Sequence, residues 1–243
     1  MRIIKVDAID STNSFVRKFY EGASDFSPVC VRAIHQTAGR GQRGSNWEVK
    51  PGQNLTFSIL YPQSQLEISK YFLLSASISL AILKVFRQLN IPQLKVKWPN
   101  DIMSSKKKVG GILIENIIKN DGIAASIIGV GINVNQTEFH NLPQASSLKL
   151  ATGNSYDLDE ILEILIPEID TALSRLSTTS EEILLKKYQE NMFMLDKVTV
   201  FQKPNSDKLN GIIKGVTPDG KLLLKTEDDK LEEFGLKEIQ LLY

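Results

Sequence analysis

The chain of 243 residues reads as an α+β protein, a mixed β-sheet with flanking helices followed by a small C-terminal β-barrel. Three observations predict this. Strand-like runs such as VCVRAI and LTFSILY alternate with segments of helical period. The apolar segment SKYFLLSASISLAILKVFRQL (69–89) is too long for a strand and free of Gly and Pro, which marks a buried helix. From Asp196 the texture changes to short β-rich runs, KVTVF, GIIKGV, KLLLK, LEEF and IQLL, separated by turns such as TPDG. The expected division is a larger domain at 1–192 and a smaller one at 193–243.

Taken in order, RIIKVDAID forms a first strand, and STNSFVRKFYEG a helix with Ser11 as its cap, Phe15 and Phe19 one turn apart, and Gly22 as its stop. Strands follow at 29–34 and 54–61, then the long helix. LKVKW, VGGILIENI and AASIIGVGINVN are three further strands, separated by KKK and by the turn signal KNDG, and they form the centre of the sheet. Residues 136–155 are polar and irregular. DLDEILEILIPEIDTALSRL has helical period, with Asp157 and Glu160 set as a capping box and Pro167 expected to kink or break it. SEEILLKKYQENMF is the last helix.

Composition narrows the function classes. Lys and Arg total 29 against 28 acidic residues, so no global field draws the chain to nucleic acid or to an anionic membrane. The single cysteine, Cys30, excludes an internal disulfide, fits a reducing compartment, and lies in an apolar strand where packing explains it. Two histidines, His35 and His140, without cysteine partners make a zinc site unexpected. The N-terminus MRIIKVDAIDST has no signal-peptide core, no apolar run has the character of a membrane span, and the expected location is the cytoplasm.

The stretch GRGQRGSNW contains a literal G-x-G-x-x-G at Gly39, Gly41 and Gly44. A dinucleotide fingerprint needs a helix to open behind it, and here LTFSILY, a strand, follows; a Walker A loop needs Lys-Ser/Thr where Ser45-Asn46 stands. The loop therefore joins two strands. Its glycines let backbone approach a ligand, and Arg40 and Arg43 offer planar donor forks for carboxylate or phosphate. A glycine-rich hairpin with solvated arginines is the plainer alternative.

Four clusters fall at strand ends and loops: DSTN at 10–13, HQTAGRGQRGSNW at 35–47, KWPND at 97–101 with KKVGGILIE at 107–115, and GVGINVN at 129–135. Singly they read as a cap, a turn, a solvated loop and a small-residue strand. Together and in this order they resemble the catalytic domain of the biotin–protein ligases, from the N-terminus to Asn135; KWPND followed by K-x-G-G-I-L-x-E is the specific pairing. The C-terminal piece is similar in kind to the SH3-like barrel of that family, and the resemblance implies its class II synthetase-like fold.

The resemblance further implies ATP-dependent activation of biotin to biotinyl-5'-AMP, then transfer to a lysine of a biotin carboxyl carrier protein of a biotin-dependent carboxylase. ATP and Mg2+ are the implied cofactors, with the metal's ligands unnamed. Lys108, Arg40 and Asp101 are the implied catalytic residues. Biotin is implied to meet Ser11, Thr12, Asn13, Gln36, Arg40, Gly41, Gln42, Lys108, Gly110 and Gly111, and the nucleotide Arg43, Trp47, Asn100, Asp101 and Asn133. The physics agrees: a carboxylate must meet an α-phosphate, so fixed cations and donors are needed where negative charge builds.

Gln42 and Ser45 depart from the family, many of whose members carry arginine and a further basic residue there, so the loop is less positive and adenylate retention is at issue. Only ten residues precede Ser11, so no N-terminal DNA-binding domain and no DNA partner are expected. No membrane partner is expected, and a homodimer is left open. The nearest rival is a lipoate or octanoate ligase, which would not need the polar DSTN and HQT groups; a non-catalytic binding module is the rival from another class.

Overall fold

The computed structural model describes residues 1–21, 27–67, 70–119 and 122–243. The helix stop at Gly22 and the centre of the KNDG turn at Asn120 and Asp121 lie outside the described residues. In chain order the larger part contains β1 (Arg2–Ile9), α1 (Thr12–Glu21), β2 (Val29–Gln36), β3 (Asn54–Leu66), α2 (Tyr71–Gln88), β4 (Leu94–Lys97), β5 (Asp101–Ser104), β6 (Lys107–Lys119), β7 (Gly122–Asn133), α3 (Leu148–Thr152), α4 (Leu158–Ser174) and α5 (Glu181–Glu190). Seven strands form one mixed sheet in the order β1-β2-β3-β7-β6-β5-β4. Only β1 and β2 pair in parallel, because α1 supplies the crossover between them; the other neighbours are antiparallel.

The central strand β7 is buried along nearly its whole length, since both faces of the sheet are covered. On one face Val16 and Tyr20 of α1 pack on Val29, Val31, Leu60 and Ile127. On the other, α2, α4 and α5 form a larger core with Phe57, Phe86, Leu83, Leu165 and Tyr188. Burying side chains of this size contributes about 1.5–3 kcal/mol each, which holds the strand ends in fixed register.

One expectation about the helices is corrected and another is narrowed, from a kink or a break to an unbroken helix. By length and composition α2 does reach the character of a membrane span, but it is mostly buried inside the protein and serves as its core helix. Pro167 neither ends nor divides α4. Pro167 and Glu163, whose carbonyl loses its helical partner, are exposed to water, while Leu162, Leu165, Ile166 and Ile169 on the opposite face are held in the core.

Residues 198–242 carry β8 (Val198–Gln202), β9 (Lys208–Val216), β10 (Leu222–Thr226), β11 (Leu231–Phe234) and β12 (Gln240–Leu242). They form an antiparallel five-stranded sheet in the order β11-β10-β9-β8-β12. The expected SH3-like barrel is not formed: the sheet stays open, and its outer strands β11 and β12 pair only with β10 and β8. Closure needs edge strands long and staggered enough to meet, and these have four and three residues. The sheet instead buries Phe201, Ile213, Leu222, Leu224 and Phe234 in the same core as α2. Trp98 ties the two parts, its indole N–H donating to the Gly220 carbonyl at 2.9 Å.

Candidate active site

The start of α1, the β2–β3 loop, the β4–β5 turn and the ends of β6 and β7 converge on one cleft of about 420 Å3. The β2–β3 loop closes on itself. Gly41 N–H donates to Ser45 O at 2.7 Å, Trp47 N–H to Gly39 O at 2.9 Å, and a single 3-10 turn spans Gln42–Gly44, with Gly44 at φ 79°. This arrangement turns Arg40, Gly41, Gln42 and Trp47 to the cleft. Arg43 belongs to the turn, and its side chain lies outside the described part of the structure.

One end of the cleft is lined by hydroxyl and amide groups, with the Arg40–Glu115 ion pair at its rim. Thr12 donates through its backbone N–H and its hydroxyl to Gln36 Oε1, at 2.8 and 2.9 Å. Ser58 Oγ lies 2.7 Å from Thr12 Oγ1 and 2.5 Å from Asn13 Oδ1, and Asn13 Nδ2 donates to Glu115 Oε2 at 2.7 Å. Asn13 has room because Gly129 faces it: a methyl group there would lie 2.4 Å from Asn13 Oδ1. Arg40, half exposed at the rim, donates to Glu115 Oε2 at 3.2 Å. Ser11 also lines this end.

The other end is charged. Lys108 Nζ is 2.5 Å from Asp101 Oδ1 and lies over the Trp47 ring, 5.5 Å from its centre. A register shift opposite Ile102 and Met103 leaves Val109 as an extra residue in β6. Such a bulge re-aims a side chain, and here Lys108 shares the cleft face with Gly111 rather than with Gly110. The backbone of Lys108 is fixed by the segment after β7: its N–H donates to Gln144 O at 2.7 Å and its carbonyl accepts from Ser146 N–H at 2.9 Å. The polar stretch 136–155 thus runs beside Lys108, and its last part forms α3.

Residues 6–133, more than half of the chain, match the model of the biotin/lipoate A/B protein ligase family, and residues 198–240 match the biotin protein ligase C terminal domain. The chain belongs to the biotin/lipoate A/B protein ligase family.

The ligase is 29% identical over 224 residues to the bifunctional ligase/repressor BirA of Escherichia coli, covering 90% of this chain and 68% of that protein. It is 28% identical over 228 residues to the biotin–[acetyl-CoA-carboxylase] ligase of Paracoccus denitrificans, covering 89% and 91%. Its fold superposes on the biotin protein ligase of Aquifex aeolicus in complex with biotin and ATP with a TM-score of 0.82 and 27% identity, over 99% of this chain and 98% of that one.

Two residues singled out in the ligase's sequence do not reach the cleft. Gly110 faces inward, where a methyl group would meet Gly131 O at 3.1 Å and the side chains of Ile102 and Ile132 at 3.6 Å. Asn133 is buried and donates to Ser146 O at 2.9 Å, which ties β7 to the segment beside Lys108. Asn100 lines the cleft but also braces the KWPND turn, donating to Ile112 O at 2.6 Å. Conversely, Ser58, Glu115, Gly129, Gly131, Lys97 and Gln240 belong to the site or its support without having been assigned a role. Glu115 and the two glycines stood inside the recognised clusters, whereas nothing in the sequence pointed to Ser58 or to Gln240 of β12.

Cys30 is fully buried and away from the cleft lining, and burial raises its thiol to about 12, unlike the accessible, electropositive setting of a reactive cysteine. Burial, and then the charge of Asp101, raise the Tyr243 hydroxyl to about 12. Among the described residues Asp101 is the only carboxylate lining the cleft, and no group of three His, Cys, Asp or Glu could hold a metal ion.

Proposed function

We propose that the ligase activates biotin with ATP and transfers it to one lysine of a biotin carboxyl carrier protein. Lys108 carries this reading: its ammonium lines the cleft, bonded to Asp101 and stacked on Trp47. The Aquifex relative's complex with biotin and ATP supports the choice of substrates.

The ureido end of biotin needs partners for two N–H groups and a carbonyl, since each would be costly to bury unpaired. The Ser11, Thr12, Asn13 and Gln36 cluster, braced from behind by Ser58, offers hydroxyl and amide groups of both kinds. The biotin carboxylate then points to the charged end. In the first step one of its oxygens attacks the α-phosphorus of ATP, the bond to the β-phosphate oxygen breaks, and pyrophosphate leaves. Lys108 and Arg40 supply positive charge where the two anions meet, and an ammonium on a flexible stem follows the charge through the transition state. Gly111 leaves the backbone uncovered beside it.

In the second step the neutral amine of the carrier lysine attacks the acyl carbon, the acyl–phosphate bond breaks, and AMP departs with the electron pair. Asp101 orients the amine and accepts a proton from it. Magnesium enters with the triphosphate as part of the nucleotide substrate, in keeping with the ion's habit of binding through few carboxylates.

The test is to incubate the ligase with Mg·ATP, biotin and a carrier domain and to map the product by mass spectrometry. The reading predicts one biotin on one carrier lysine. Lipoylation of the carrier under the same conditions, with no biotinylation, would overturn the substrate assignment.

A further inference from the structure

Asp101 has two lysine partners, and the reaction described above uses only one. Lys97 ends β4 directly opposite Asp101 in the β4–β5 hairpin, with its Nζ 3.4 Å from Oδ2, while Lys108 Nζ holds Oδ1 at 2.5 Å. The Asp101 side chain is only 13% exposed and that of Lys97 19%. Each ammonium also faces an aromatic ring: Lys108 lies over Trp47, and Lys97 lies 5.1 Å from the centre of the Tyr243 ring. Tyr243 is itself held, edge-on to Phe193 with ring centres 5.2 Å apart and with its carbonyl accepting from Gln144 Nε2 at 2.7 Å.

Lys108 cannot keep Asp101 at full strength while following the oxyanions of biotin and ATP. Once it turns to the ligands, Asp101 would be a largely buried carboxylate short of a partner, which is strongly unfavourable. Lys97 is the cation already in place to take it. We infer that Lys97 is a positioning residue: it holds Asp101 while Lys108 is released to the reacting oxyanions, and Tyr243 keeps Lys97 over Asp101. The inference rests on the adenylation reading above and adds a residue to it.

The test is a double-mutant cycle on the full chain. Wild type, Lys97→Met, Asp101→Asn and the double variant are compared in single-turnover formation of biotinyl-AMP at saturating biotin and Mg·ATP, with circular dichroism and melting as fold controls. Lys97→Met should slow adenylation by about tenfold or more while Asp101 is charged, and by less than about twofold in the Asp101→Asn background, where nothing needs releasing. Lys97→Arg should restore most of the rate, and the KM for biotin should move little. Equal losses in both backgrounds would mean that Lys97 touches the nucleotide itself, and no loss in the first would make it a bystander; either result overturns the inference. Should Lys97→Met not fold, Tyr243→Leu is used in the same cycle, with a smaller loss expected in the same direction. Failure of the wild type to form adenylate would remove the functional reading and this inference with it, whereas an active wild type with an additive cycle removes the inference alone.

Discussion

The indole of Trp47 rests on Gly131, so closely that a methyl group on that glycine would lie 2.4 Å from the ring. Gly111 flanks the same ring, at 3.5 Å from where its own methyl group would stand. The absent side chains of two strands thus form a seat for an aromatic residue delivered by the β2–β3 loop. The seated ring lies under the ammonium of Lys108. Gly131→Ala should unseat Trp47, cost about 1–3 kcal/mol of stability as overpacked sites do, and depress turnover beyond that loss. Activity assays alongside tryptophan fluorescence check this, and an unchanged rate with an unchanged spectrum would show the seat to be dispensable.

Lys108→Ala should leave the fold intact, because Lys97 still neutralises Asp101. Adenylation should fall by about 10²–10³, the usual cost of removing one preorganised stabiliser of developing negative charge. Equilibrium unfolding and single-turnover assays separate the two effects. Near-normal adenylation in that variant would take Lys108 out of the mechanism.

Gln42 lines the cleft in the 3-10 turn, a neutral residue facing a site built for an anionic intermediate. Gln42→Arg adds a cation there and should lengthen the residence of biotinyl-AMP on the ligase. Its dissociation can be followed by stopped-flow fluorescence. An unaltered off-rate would mean that retention rests on the backbone of the loop alone.

Asp157 caps α4, accepting from the N–H groups of Asp159 at 2.7 Å and Glu160 at 3.0 Å. These bonds, led by that of Glu160, hold its carboxyl below the usual range. A depressed folded-state value means the stabilisation is complete above the unfolded value, about 3.9, and is lost as pH falls through the lower folded one. The melting-temperature gap between wild type and Asp157→Ala should therefore be open at neutral pH and narrow at acid pH. A gap independent of pH would show that the charge of the cap contributes nothing.

Much of this was legible in the sequence, for identifiable reasons. Hydrophobic period exposed the long helix and most strands, and KWPND with K-x-G-G-I-L-x-E placed Lys108 and Asp101, which do meet in space. The short strand β5 escaped notice because it continues directly from the KWPND turn. A bulge of one residue at Val109 decides which glycine shares the cleft face with Lys108, and no pattern of residue types reveals a bulge. The bond from Asn133 to Ser146 O was not legible, because a polar side chain at a strand end can serve the neighbouring loop as readily as a ligand. The barrel was misjudged because five short strands with good turns look the same open or closed. The open sheet shares its core with α2, a contact between distant parts of the chain that short runs of residues do not announce.

The central claim is that one cleft brings the carboxylate of biotin against the α-phosphate of ATP. Exchange of labelled pyrophosphate into ATP, measured with biotin, lipoate, octanoate and no acid, tests it most directly, because exchange requires reversible formation of the mixed anhydride. The account predicts rapid exchange with biotin, little with the other acids and none without acid. Exchange supported by lipoate but not by biotin, or by none of them, would contradict it.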